Sequence, residues 1–187
     1  MKKVISLVLV LVMCLSLCAC GEKGDNVVVK EVKDYRFTLD VLQDTFCGDD
    51  GAFTVSGTTA ITHDWDFSNF YDRVITAEIA DETKVSSITM EYTDLDTKAY
   101  KSSEILRKFL KGDTGELSAG NVLKLMPLYD LKDMMMLVGA EDSEITVELI
   151  SNLVEKGTSF EKNNWTVSVD IDDSSVTFTA EYSTVAE

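Results

Sequence analysis

The sequence predicts an α+β domain, an antiparallel sheet of about five strands with three to four helices layered on one face. Three observations carry that expectation. Two separated stretches alternate apolar and polar residues with period two, the pattern of strands dry on one side and wet on the other. Between them, apolar residues recur at helical spacing in runs that close on Gly112, Gly139 and Gly157. The resulting order is a short helix, then strands, then helices, then strands, which segregates the two element types and argues against βαβ units.

Residues 1–21 precede this domain and are not part of its fold. Lys2 and Lys3 open the chain, and residues 4–17 are predominantly apolar. That run is shorter than the ~20 residues a spanning helix needs, so it reads as a signal peptide. It closes on Leu17-Cys18-Ala19-Cys20-Gly21. These residues resemble the lipobox of bacterial lipoproteins, where a Leu and two small residues precede a Cys, with Cys18 standing where Ser, Ala or Thr is commoner. The resemblance implies cleavage after residue 19, a diacylglyceryl group on the Cys20 sulfur, and a mature protein held on the extracytoplasmic face of the cell membrane, as in Gram-positive-type lipoproteins. Two acyl chains anchor firmly where one binds reversibly, because each buried methylene contributes ~0.8 kcal/mol. Residues 1–19 are thus expected to be the signal, 20–33 the lipid-anchored tether and 34–187 a single α+β domain of no named family.

Within that domain, Val27, Val28 and Val29 suggest an opening strand just inside the tether. Leu39, Leu42 and Phe46 sit at i, i+3 and i+7 behind Thr38, a helix with its N-cap, which Asp49-Asp50-Gly51 breaks. Phe53, Val55, Gly57, Thr59 and Ile61 then alternate as one half-buried strand. After a polar loop at residues 63–69, Tyr71, Arg73, Ile75, Ala77 and Ile79 pair with Ile88, Met90 and Tyr92 as a hairpin turned at Asp81-Glu82-Thr83. Ala99, Ser102, Ser103, Leu106, Phe109 and Leu110 form the stripe of a helix behind Thr97, ended by Gly112. Ser118 caps a helix bearing Val122, Leu123, Leu125 and Met126, which Pro127 interrupts or restarts. Leu128, Leu131, Met134, Met135 and Val138 continue the stripe, and Ser143 caps a last helix with Ile145, Leu149, Ile150 and Leu153. A second hairpin, with Trp165, Val167, Val169 and Ile171 facing Val176, Phe178, Ala180 and Tyr182, is expected to pair within the main sheet.

Removing residues 1–19 takes away two lysines and no acid, moving the formal charge from −16 to −18. A surface of that sign repels phosphate backbones and anionic head groups, which argues against nucleic acid and polybasic membrane binding and leaves anchoring to the lipid. Cys47 is the one cysteine beyond the opening segment. An intrachain disulfide is therefore unavailable to the mature domain, and a small buried hydrophobe is the expected role of Cys47.

The potential chemistry is sparse. Asp170, Asp172, Ser174 and Glu181 fall at positions 1, 3, 5 and 12 of a calcium loop, but position 6 is Ser175 rather than Gly and position 9 is Phe178, so an acidic hairpin turn is expected instead. His63, Asp64 and Asp66, with Asp72 nearby, are the densest group of potential ligands or acid-base residues, yet the chain holds one His. A transition-metal site wants several imidazoles or thiolates. No Gly-x-Ser-x-Gly elbow, Gly-rich phosphate loop or other cofactor motif is present, and no cofactor is expected. Tyr129 and Met136 lie seven apart on the side of their helix away from the apolar stripe, and are either covered by neighbouring helices or part of an exposed patch for a partner. The expectation is a non-enzymatic binding domain for an envelope protein or wall component, with a small envelope hydrolase or metal-dependent enzyme using His63, Asp64 and Asp66 as the alternative.

Overall fold

The computed structural model describes residues 33–47, 52–64, 71–81 and 83–184. Residues Asp34–Glu187 make one compact unit, of α+β class, in which seven strands among the described residues form one antiparallel sheet. Helix α1 (Leu39–Phe46) is followed by β1 (Thr54–Ser56), β2 (Thr59–Asp64), β3 (Asp72–Ala80) and β4 (Lys84–Thr93). Helices α2 (Ser103–Leu110), α3 (Ala119–Leu125), α4 (Pro127–Leu137) and α5 (Val147–Lys156) come next, and β5 (Phe160–Lys162), β6 (Trp165–Ile171) and β7 (Val176–Tyr182) complete the sheet. Among the described residues no helix is long and apolar enough to cross a membrane.

The strand order is β1-β2-β3-β4-β7-β6-β5. Two three-residue strands therefore form the edges, where short length limits pairing with other chains. The expected count of about five rises to seven for local reasons. The stretch expected to be one strand from Phe53 is a hairpin, turned at Gly57 and Thr58, with Gly57 at φ 63°. Its second arm also runs on through His63 and Asp64, which were expected in a loop. At the other edge, Asn163 and Asn164 have φ of 52° and 66°. Paired positive values are what a two-residue type I′ turn requires, and they fold β5 back onto β6. Val27–29 lie outside the described residues.

Register explains the division into faces. Ile75, Ala77, Ile88, Met90, Trp165, Val167, Phe178 and Ala180 alternate along their strands and are all buried. Leu42, Leu106, Leu125, Leu131, Ile150 and Leu153, from the five helices, join them in one continuous core. Most intervening strand positions are polar: Thr76, Thr89, Thr179 and Ser168 stand side by side across four strands, with Ile61 of β2 opposite Thr76 in the same row. The last hairpin lies inside the sheet, as its apolar face requires, with β7 paired to β4. Trp165 stacks on Phe37 at 5.1 Å and donates its indole N–H to the Tyr35 carbonyl at 3.3 Å, fastening the start of this unit to its end.

The helix boundaries shift from expectation where tertiary contacts outcompete local caps. Thr97 does not cap α2, because its hydroxyl donates to the carbonyls of Asp172 and Asp173 in the β6–β7 turn, at 2.7 and 3.1 Å. Thr97–Ala99 is a short 3₁₀ turn, and Ser102 caps α2 instead. Ser118 caps α3 and Pro127 restarts the chain as the first residue of α4. The cap of α5 is Thr146 rather than Ser143, its hydroxyl accepting from the Leu149 N–H at 3.2 Å. Residues 141–145 are held apart as turns, with the Glu144 carboxylate bound to the Glu141 N–H and Lys162. Gly139, at φ 100°, lets the chain leave α4 beside Asn163, whose amide donates to the Val138 carbonyl at 3.0 Å. A β-carbon on Gly139 would collide with that amide.

Candidate binding groove

A polar cluster beneath α4 fixes how that helix is turned. Asp130 accepts from Arg73 Nη1 at 2.9 Å and from the Tyr92 hydroxyl at 2.5 Å. Arg73 Nη2 donates to the Phe46 carbonyl at 2.9 Å, so one buried guanidinium joins β3, the end of α1 and α4. Burial, and then the Asp130 charge, push the Tyr92 phenol well above its ordinary range, keeping it a hydrogen-bond donor. Tyr71 packs edge-on against Tyr92 at 5.6 Å. Burial likewise raises Tyr100, whose enclosed hydroxyl has no hydrogen-bond partner among the described residues.

With Asp130 held toward the sheet, the preceding residue lies ~100° round the helix and turns outward. Tyr129 is 53% exposed, and its ring tilts against Phe109 at 5.3 Å. Between the end of α2, the first turns of α4 and the start of α5 opens a groove of about 320 Å³. That is at the low end of the ~300–1,000 Å³ typical of small-ligand sites. Phe109, Leu128, Tyr129, Ile145 and Ile150 supply its apolar walls, and Lys111, Lys132 and Thr146 its polar rim. None of its lining residues is acidic, in a chain of 33 acids and 17 cations. Lys132 is paired with Asp142 at 2.6 Å, which raises its pKa. Lys111, exposed just past α2, makes no ion pair among the described residues.

The residues singled out from sequence fall in different places. Met136 is 45% exposed but lies outside the groove that Tyr129 lines. His63 and Asp64 are the last two residues of β2, opposite Val74 and Arg73. Cys20 and Asp66 lie outside the described residues. Cys47 packs half-buried against the core. The acidic turn is engaged by the chain itself, since Lys101 pairs with Asp173 at 2.7 Å and Thr97 holds two of its carbonyls. Among the described residues no group of three or more His, Cys, Asp or Glu could hold a metal ion. Phe109, Ile145 and Ile150 carry no site signal in the sequence because each satisfies a helical pattern locally. Only tertiary packing brings them to Tyr129.

Neither a protein family, nor a curated protein, nor a solved structure matches this chain.

Proposed function

We propose that this chain is a lipid-anchored, extracytoplasmic lipoprotein whose folded domain binds a partner in the cell envelope through the groove beside Tyr129. The exposed Tyr129 ring against Phe109 carries the reading: a large aromatic left open at an apolar concavity is characteristic of a surface that meets something. The anchor rests on the Leu17 to Gly21 pattern, which directs lipid to Cys20. The lining offers apolar contact and cationic hydrogen-bond donors, chemistry suited to holding a ligand.

The test uses the full chain in intact cells. Radioactive fatty acid should label the wild type and not Cys20→Ser, and a benzophenone photo-cross-linker at position 129 should give an adduct that one at Ser168, on the polar sheet face, does not. Continued labelling of Cys20→Ser removes the anchor. Equal adducts at 129 and 168, or none at either, remove the groove.

A further inference from the structure

We infer that the groove beside Tyr129 receives the free C-terminal end of a peptide chain, seating an apolar last residue and neutralising its terminal carboxylate. The inference rests on the groove being the binding surface and adds the chemistry of its occupant. Three features converge on it. The walls at Phe109, Leu128, Tyr129 and Ile150 are apolar and of a size for one or two side chains, since the cavity holds about 320 Å³. A longer acyl chain would run out beyond them into water.

The charge of the rim is opposite to that of the molecule. Lys111 stands at the groove with no counter-ion among the described residues, while Lys132 on the other side is held by Asp142. An anion entering here meets one uncommitted ammonium and no lining carboxylate, on a protein that elsewhere repels anions. Thr146 and Val147 bring the start of α5, a ten-residue helix, to the same place. The first N–H groups of a helix have no intrahelical acceptor, and the Thr146 hydroxyl takes only that of Leu149. A carboxylate there, against the charge of Glu148 in the same first turn, gains a point charge from Lys111 and backbone donors from α5, a recurrent way of capturing chain ends. The rest of an extended peptide leaves through the open side of the groove.

The probe is a fluorescein-labelled pentapeptide, Ser-Gly-Ser-Leu-Leu, with either a free C-terminal carboxylate or a C-terminal amide, read by fluorescence anisotropy against the full chain. The free acid should bind, and the amide about tenfold more weakly, the size of one charge-assisted contact. Lys111→Ala should erase the difference between acid and amide, and Lys111→Arg should restore it. Tyr129→Ser should weaken both peptides while leaving the thermal unfolding midpoint in place. Equal binding of acid and amide, with both lost in Tyr129→Ser, overturns the carboxylate inference and leaves the groove as a binding surface. Displacement of the acid peptide by palmitate at lower concentration than by unlabelled peptide overturns it in favour of a lipid. No binding of the acid peptide overturns it outright, whereas the groove itself is judged by the cross-linking at 129.

Discussion

Replacing Asp130 by Ala tests the cluster that orients α4. The variant strips both hydrogen bonds from a carboxylate that serves a 6% exposed arginine and a fully buried tyrosine. Removing one partner of a buried ion pair costs ~3–5 kcal/mol, because the other charge is left without compensation. Two details place this site at the lower end. The Asp130 side chain is 24% exposed, so water reaches the vacated space, and Arg73 keeps its bond to the Phe46 carbonyl. A loss of ~3 kcal/mol is expected, against the ~5–15 kcal/mol of a typical domain. Urea denaturation followed by tryptophan fluorescence gives the number, with an unchanged slope showing that the denatured state is not the cause. Asp130→Asn should cost less, since an acceptor remains. The pair Arg73→Met with Asp130→Leu should cost less than Asp130→Ala alone, because no charge is stranded. A loss under ~1 kcal/mol for Asp130→Ala, or a double variant as costly as its two singles added, would refute the reasoning.

Phe178→Ala, at a fully buried position on the central strand pair, should cost ~3–5 kcal/mol in the same assay, and a value under ~1 kcal/mol would mean the last hairpin is not core. Acid should weaken the fold through Asp34, whose carboxyl is held well below its ordinary range by hydrogen bonds from Arg36 and then Lys84. Because the folded value is depressed, that contribution is full at neutral pH and disappears as pH falls below ~4. Asp34→Asn should accordingly show a shallower loss of urea midpoint below that pH, and parallel curves would rule Asp34 out. Purified protein should carry no stoichiometric transition metal, and His63→Ala should fold as the wild type does; a bound metal lost in that variant would promote the hydrolase built on His63, Asp64 and Asp66.

The elements legible in the sequence are those whose signal is local. Ser118 and Pro127 mark helix starts correctly because each satisfies backbone groups within its own turn. Thr97 misleads because its hydroxyl is claimed by carbonyls more than seventy residues away in the β6–β7 turn. Gly57 reads as one small residue in an alternating strand, and only its positive φ shows that it turns the chain. Asn163 and Asn164 carry the turn signal openly, yet the three-residue strand before them is too short to show a period. Half of the groove is legible in the sequence. The spacing of Tyr129 against its helix stripe marks an apolar residue in need of explanation. Its partners Phe109, Ile145 and Ile150 are indistinguishable from ordinary core positions until α2 and α5 are placed.

The pairing of β4 with β7 also has a temporal side. β4 and its partner β7 are separated in sequence by all of α2 to α5 and two further strands, so pairing Val176–Tyr182 with β4 closes a long loop and is slow next to the local hairpins. Until it closes, Ile88, Met90 and Tyr92 lie along an open edge, the kind of surface that invites association with a neighbouring chain. Shortening the chain by its last strand would therefore not trim a margin. It would part β1 to β4 from the short β5–β6 hairpin and leave a newly exposed edge on each.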